Sequence, residues 1–157
     1  MHPIGGMFQV GDMWIPNFMT YAGVAKIAHV LAGDITVKGW KVGCLAGPVT
    51  KEDTLLAHAW QEPDALSGYA RQSCTISEIV PTSESGQPIT VMRLTPVTFE
   101  CLESNKPWDI SCSRLFCTMT DSNDAEELIS ISSVLPSAVR LLQGNSFQTA
   151  YRLRFRA

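Results

Sequence analysis

The segment 146–156 constrains the fold more tightly than any other. Phe147, Thr149, Tyr151, Leu153 and Phe155 recur at every second position, and Gln148, Ala150, Arg152, Arg154 and Arg156 fill the positions between them. A period of two places successive side chains on opposite faces of a strand, here an apolar row inward and three arginines outward. A strand of this kind needs partners, and the chain offers them. From Ile35 onward, short alternating segments predict strands at 35–46, 70–80, 88–94, 96–102, 108–119, 126–133, 137–142 and 146–156. The clusters SESGQP at 83–88, DSNDA at 121–125 and QGNS at 143–146 supply turns between them. The expectation is a mainly β chain, a β-sandwich or jelly-roll-like domain.

Ahead of the strands the pattern differs. Residues 1–16 combine glycines and prolines with Ile4, Met7, Phe8, Val10, Met13, Trp14 and Ile15, without a helical or strand period. They read as an extended N-terminal arm too apolar to be left in water, packed either on its own domain or on a neighbouring subunit. Asn17 is the expected cap of a helix over 18–32. Tyr21, Val24, Ile27, Ala28 and Leu31 recur at helical spacing and predict its core or interface face, with Ala22, Ala25, Ala28 and Ala32 permitting close approach. Gly33 is placed to end the helix in a left-handed turn. The domain reading is an arm at 1–16 and one β-rich domain at 17–157.

Charged residues make up only 17% of the chain, against about 25% in typical soluble domains, so part of the surface is expected to be covered. A net charge of −3 and a pI near 5.5 argue against direct binding of nucleic acid. Lys26, His29, Asp34 and Lys38 interrupt the best apolar run, so no membrane span is expected. The first residues lack the pattern of a secretory signal, which predicts a protein made and kept in the cytoplasm. Cys44, Cys74, Cys101, Cys112 and Cys117 have irregular spacings and no CxxC pair, and are read as reduced, mostly buried thiols.

A search for chemistry returns little. His2, His29 and His58 are scattered, and no nucleotide-binding, metalloprotease or hydrolase motif occurs. Asp121, Asn123 and Asp124 could offer oxygens to a calcium ion, but a hairpin tip asks for the same residues. Cys101, Cys112 or Cys117 with a histidine could make a thiol hydrolase, though nothing brings such a pair together. No catalytic residue, metal ligand or cofactor is expected, and the chain is read as non-enzymatic.

Lys41-Val42-Gly43-Cys44-Leu45, Val49-Thr50-Lys51-Glu52-Asp53-Thr54 and Leu66-Ser67-Gly68-Tyr69-Ala70-Arg71 follow one another within 40–71. This order resembles a segment common in small bacteriophage virion structural proteins. There a "KVGLF" strand leads through a "DTTLAD" loop to an "SGYAR" turn. Residues 110–133 and Gln143-Gly144-Asn145 are similar to the later part of that family, although Ser113-Arg114 stand where Gly-Tyr is usual. The resemblance implies a virion component without enzymatic activity. On that reading the chain is a capsid decoration or cement protein, or else a tail, baseplate or fibre-adaptor subunit. It is expected as a homo-oligomer, such as a trimer, bound to other virion proteins such as the major capsid protein. Phe8, Trp14, Ile15, Arg152, Arg154 and Arg156 are its expected interface anchors, since aromatic and arginine side chains carry most interface energy. A small-molecule-binding β-barrel is the alternative from another class. Within the motif, Gly68 suits a tight turn, Tyr69 is placed to plug one end of the sheet with its hydroxyl on a backbone partner, and Asp53 and Thr54 to fix the loop before it.

Overall fold

The computed structural model describes residues 4–45, 62–63, 68–102, 108–109, 114–132 and 140–156. In chain order these form β1 (Ile4–Val10), β2 (Met13–Met19), α1 (Tyr21–Ala32), β3 (Val37–Cys44), β4 (Gln72–Cys74), β5 (Ile76–Glu84), β6 (Gln87–Leu94), β7 (Val97–Glu100), β8 (Trp108–Asp109), β9 (Leu115–Asp121), β10 (Glu126–Ser132), β11 (Arg140–Leu141), β12 (Ser146–Thr149) and β13 (Tyr151–Arg156). The fold is mainly β.

Nine strands pair in the order β4-β3-β9-β10-β2-β1-β13-β6-β5, every neighbour antiparallel. Its two end strands, β4 and β5, are separated in the chain by Thr75 alone. A flat sheet of nine strands would hold its edges about 38 Å apart, whereas two peptide units span at most about 7 Å. The sheet therefore curls into a half-barrel. Thr75 is fixed at the join, its amide donating to Thr95 Oγ1 at 3.1 Å and its carbonyl accepting from Thr95 N at 2.8 Å.

The segment expected as an arm is instead the β1–β2 hairpin, in the middle of this sheet. Phe8 faces Ile15 across it, and β1 pairs along β13 from Ile4 opposite Phe155 to Phe8 opposite Tyr151. Phe8 is fully buried and Ile15 is 3% exposed. The hairpin turns at Gly11, whose φ of 59° lies in the left-handed region. Gly6 also has a packing role, because a Cβ there would collide with the Tyr151 hydroxyl. That hydroxyl donates to Ser130 Oγ at 2.8 Å inside the core.

Beyond this sheet, β7 pairs with β12 as a separate two-stranded ladder that follows on from the β6–β13 pairing. Pairing steps from Arg152 opposite Arg93 to Thr149 opposite Val97, three residues on one strand against four on the other. Such a one-residue irregularity bends a ribbon, and Pro96, which has no amide to donate, lies at the bend. The β7–β12 pair then joins the inner core through Val97, Phe99 and Phe147. Tyr69 and Phe99 stack with ring centroids 6.1 Å apart. On the outer face, Leu45, Phe116, Leu128 and Ile131 form a smaller buried cluster, where the Phe116 ring occupies the space a Cβ on Gly43 would need.

The turns follow their residues. Ser85 and Gly86 have φ of 51° and 77°, the two positive values required by a tight β5–β6 hairpin. The last strand keeps its predicted faces, with Phe147, Thr149, Tyr151 and Leu153 buried. Residues 110–113 of the strand expected at 108–119, Ser133 of that expected at 126–133 and residues 137–139 of that expected at 137–142 lie outside the described residues, as do Asp53 and Thr54.

Deleting residues 1–16 should abolish cooperative unfolding, because it removes β1 and half of β2 from the middle of the sheet. The milder Gly6→Ala should cost about 1–3 kcal/mol by overpacking against Tyr151. Urea denaturation followed by tryptophan fluorescence checks both.

Candidate functional site

The helix is capped by Thr20, not Asn17. Asn17, Phe18 and Met19 pair with Ser132, Ile131 and Ser130 of β10, and strand pairing takes the residues that the helix was expected to use. Thr20 Oγ1 accepts from Gly23 N at 2.9 Å, while Gly33, with φ of 82°, ends the helix as expected. The face turned to the sheet carries Gly23 and Lys26, both buried. Gly23 lies so close to the Ile129 backbone that a Cβ would collide with it. The four alanines expected at that contact are all exposed. Lys26 Nζ stands 3.2 Å from Asp121 Oδ2 and donates to the carbonyls of Ala125 at 2.8 Å and Met119 at 3.3 Å.

The predicted apolar stripe therefore points mostly the other way. Tyr21 is 83% exposed, Leu31 84% and Val24 47%, and Ala25, Ala28 and Ala32 lie exposed among them. Of the stripe, Ile27 packs inward, together with Val30. The outer surface of α1 is an apolar face bordered by His29, whose Nδ1 lies 2.9 Å from Asp34 Oδ2. A lysine among apolar positions was the sequence signal for this orientation: Lys26 has a buried carboxylate to reach, and the apolar residues opposite it do not.

The six expected anchors divide. Phe8 and Ile15 belong to the chain's own core and cannot meet a partner in this fold. Trp14 is half-buried on the outer face, with the Arg152 guanidinium 4.1 Å from its ring centre. Arg154 donates to both carboxylate oxygens of Glu84, at 2.7 and 2.8 Å, and Arg156 donates to the same carboxylate. Their stems cover Ile89 and Val91, the cross-strand partners of Arg156 and Arg154. Arg93 pairs with Glu78 at 2.7 Å. Arg93, Arg152 and Arg154 with Glu84, Ile89 and Val91 wall an outer-face cleft of about 310 Å³. Hydrogen bonding and charge from Arg154, with Arg156, hold the Glu84 carboxyl below its ordinary value. Glu84 and Arg93 were not among the expected site residues, although the 83–88 turn brings the first back beside the last strand.

The Gly68–Arg71 motif is structural. Gly68 has φ of 90°. Tyr69 is 8% exposed, and its hydroxyl accepts from Cys44 N at 3.1 Å and donates to Glu62 Oε1 at 2.7 Å. Arg71 clasps Glu62 through Nε at 2.9 Å and Nη2 at 3.2 Å, reaches Glu126, and lies 5.2 Å from the Phe116 ring centre. Burial works to raise the Glu126 carboxyl, but hydrogen bonds from Arg71 and Thr118 with the charges of Arg71 and Lys41 bring it below its usual range.

Chemistry of other kinds finds little purchase. Cys44, Cys74, Cys101 and Cys117 are all buried. Burial raises the thiols of Cys44 and Cys117 well above their ordinary value and pushes Cys74 up to about 11, so these three are not poised as thiolates. Cys112, His2 and His58 lie outside the described residues. Asp121 Oδ1 accepts from Asn123 N and Ala125 N, at 2.8 and 3.1 Å, and Asp124 pairs with Lys38. These oxygens serve the hairpin. Among the described residues no cluster of three metal-ligating side chains occurs, and no helix is long and apolar enough to cross a membrane. An apolar chamber of about 360 Å³ opens between α1 and the inner face, lined by Ile27, Val30, Trp40, Met92, Met119 and Leu153 among others. Comparison of the chain with protein-family models, with curated proteins and with solved structures finds no match.

Stability should fall in acid in a way that Glu84 helps to set. A carboxyl held below its unfolded value contributes fully above about pH 4.3 and loses its contribution as pH drops through the folded value. The urea midpoint of the wild-type protein is therefore expected to decline from pH 6 to pH 3, and Glu84→Gln should be lower at pH 6 and fall less steeply. An equally steep decline in the variant would assign the acid response to Glu126 and Asp121, which are also held low.

Proposed function

We propose that the chain is a non-enzymatic structural subunit of a bacteriophage particle, most specifically a capsid decoration or cement protein that self-associates and binds across capsid subunits. One observation carries the reading: the helix buries its lysine and turns Tyr21, Val24 and Leu31 to the outside. Exposed aromatic and aliphatic side chains on one rigid helix face are what an interface core requires, and α1 is fixed to the sheet by Thr20, Gly23 and Lys26. The motif resemblance adds the particle, with a tail, baseplate or fibre-adaptor position as the close alternative. The finer description as a β-sandwich or jelly roll draws support from the separate β7–β12 pair, whose Val97, Phe99 and Phe147 share the main core.

The apolar chamber favours a second reading, a small-molecule-binding β-barrel. Its volume lies at the lower end for ligand pockets, and its wall is made of apolar residues. A monomer that retains an apolar ligand after purification is the mark of that function.

Sedimentation velocity across a concentration range separates the two. The wild-type chain is expected to self-associate, and Tyr21→Ser with Leu31→Ser is expected to weaken association at least tenfold with little change in the unfolding midpoint, since both side chains are exposed. Detection of the protein in purified particles tests the virion assignment. A monomer at every concentration, absent from the particle, removes this reading and leaves the ligand-binding one.

A further inference from the structure

The outer face over β13, β6 and β5 holds more positive charge than it neutralises. Arg93, Arg152, Arg154 and Arg156 are gathered there with Glu78 and Glu84. Glu78 is engaged by Arg93, and Glu84 by Arg154 and Arg156 together. Two positive charges are left over, on a chain whose net charge is −3. Among the described residues no carboxylate pairs directly with Arg152. Its guanidinium rests on the Trp14 ring, and one Nη donates to Met7 Sδ at 3.3 Å. The Nε atoms of Arg152 and Arg154 are buried without an acceptor. Burial and the repulsion of Arg154 and Arg93 disfavour the charge on Arg152, and Glu84 offsets them only in part.

An arginine positioned over an aromatic ring, with no carboxylate of its own, is prepared for one from outside, which a guanidinium fork can bind with two parallel hydrogen bonds. Glu84 already meets Arg154 through both of its oxygens in the same cleft. Met7 and Val91 line that cleft beside the arginines, and Thr82 adds a hydroxyl. Such a lining suits a carboxylate carried on a hydrocarbon stem better than a free, fully hydrated anion. The geometry points to this cleft as a docking site for an acidic peptide segment of a partner protein, one carboxylate of which pairs with Arg152 between Arg93 and Arg154. The inference stands on the charge and the cleft, apart from the helix face that carries the proposed function.

The test is fluorescence anisotropy of a labelled short poly-glutamate peptide titrated with the full chain at low salt. Saturable binding is expected, about tenfold weaker in Arg152→Gln and unchanged in Lys38→Gln, which lies on another strand. Glu84→Gln should bind several-fold more tightly, because it frees Arg154 and Arg156. A merely structural role for the cluster predicts no such gain, and this variant decides the matter if Arg152→Gln does not fold. Inorganic phosphate and a single-stranded oligonucleotide of equal charge serve as competitors and should displace the peptide poorly. Absence of binding overturns the proposal. So does a Glu84→Gln protein that binds no more tightly than wild type, or displacement by either competitor as effective as by unlabelled peptide. None of these results bears on self-association through α1, which sedimentation reads separately.

Discussion

Thr75 joins the two ends of a nine-stranded sheet, and most of the architecture follows from that join. Because the edges must meet within one residue, the sheet has an inside. Side chains at alternate positions of β1, β3, β6, β9 and β13 then converge there, and Phe8, Val42, Met92, Cys117 and Tyr151 become a single core although they come from distant parts of the chain. Closure at one end also separates the edges at the other, where α1 lies against the inner face. The chamber between them is lined by Val37 of β3 and Ile76 of β5, from the two sides of that separation, together with Ile27 and Val30 of the helix.

Curling also settles which way the helix faces. To lie against β10, α1 needs a residue with no side chain where it meets the Ile129 backbone, and it needs a group to meet the carboxylate of Asp121 at the end of β9. Gly23 and Lys26 answer these needs from one side of the helix. A buried charge is tolerated only when paired and hydrogen-bonded, and Lys26 has both the carboxylate and two carbonyls. Once that face is committed, the rotation of the helix is determined and Tyr21, Val24 and Leu31 are turned to water. Covering a side chain the size of leucine returns about 1.5–3 kcal/mol, so a partner on this face gains what the fold itself leaves unused.

How far the sequence foretold this depends on the kind of signal. Period-two segments bounded by turn residues translated directly: β6 and β10 lie within a residue of expectation, the strand expected at 146–156 is present but divided at Ala150 into β12 and β13, and Gly33 and Gly68 adopt the positive φ that marked them. The β1–β2 hairpin was hidden because Gly5, Gly6 and Pro16 are poor strand formers by propensity. Gly6 is there to clear Tyr151, a residue far along the chain, and local pattern carries no trace of that contact. The helix boundary failed for a related reason. Asn17 is a good cap in isolation, but the pairing partners of 17–19 lie in β10, so a local preference lost to a distant ladder. The helix face failed because an apolar stripe was equated with a buried one, and the residue arguing otherwise, Lys26, finds its carboxylate at Asp121.

The arginine row shows where pattern stops and electrostatics begins. Alternation placed Arg152, Arg154 and Arg156 on the outer face, as found, but alternation treats the three alike. The β5–β6 hairpin separates them. By returning Glu84 to the level of Arg154 and Arg156, the turn at Ser85–Gly86 neutralises one end of the row and leaves the other to Trp14. The same stems shield Ile89 and Val91, so the row would be retained for packing even without a ligand. Packing asks only for hydrocarbon, however, and lysine or glutamine stems could provide it. What packing leaves unexplained is the crowding of Arg93, Arg152 and Arg154, which raises the electrostatic cost of the folded state. A carboxylate arriving from outside lowers that cost, and its binding energy includes the repulsion it relieves.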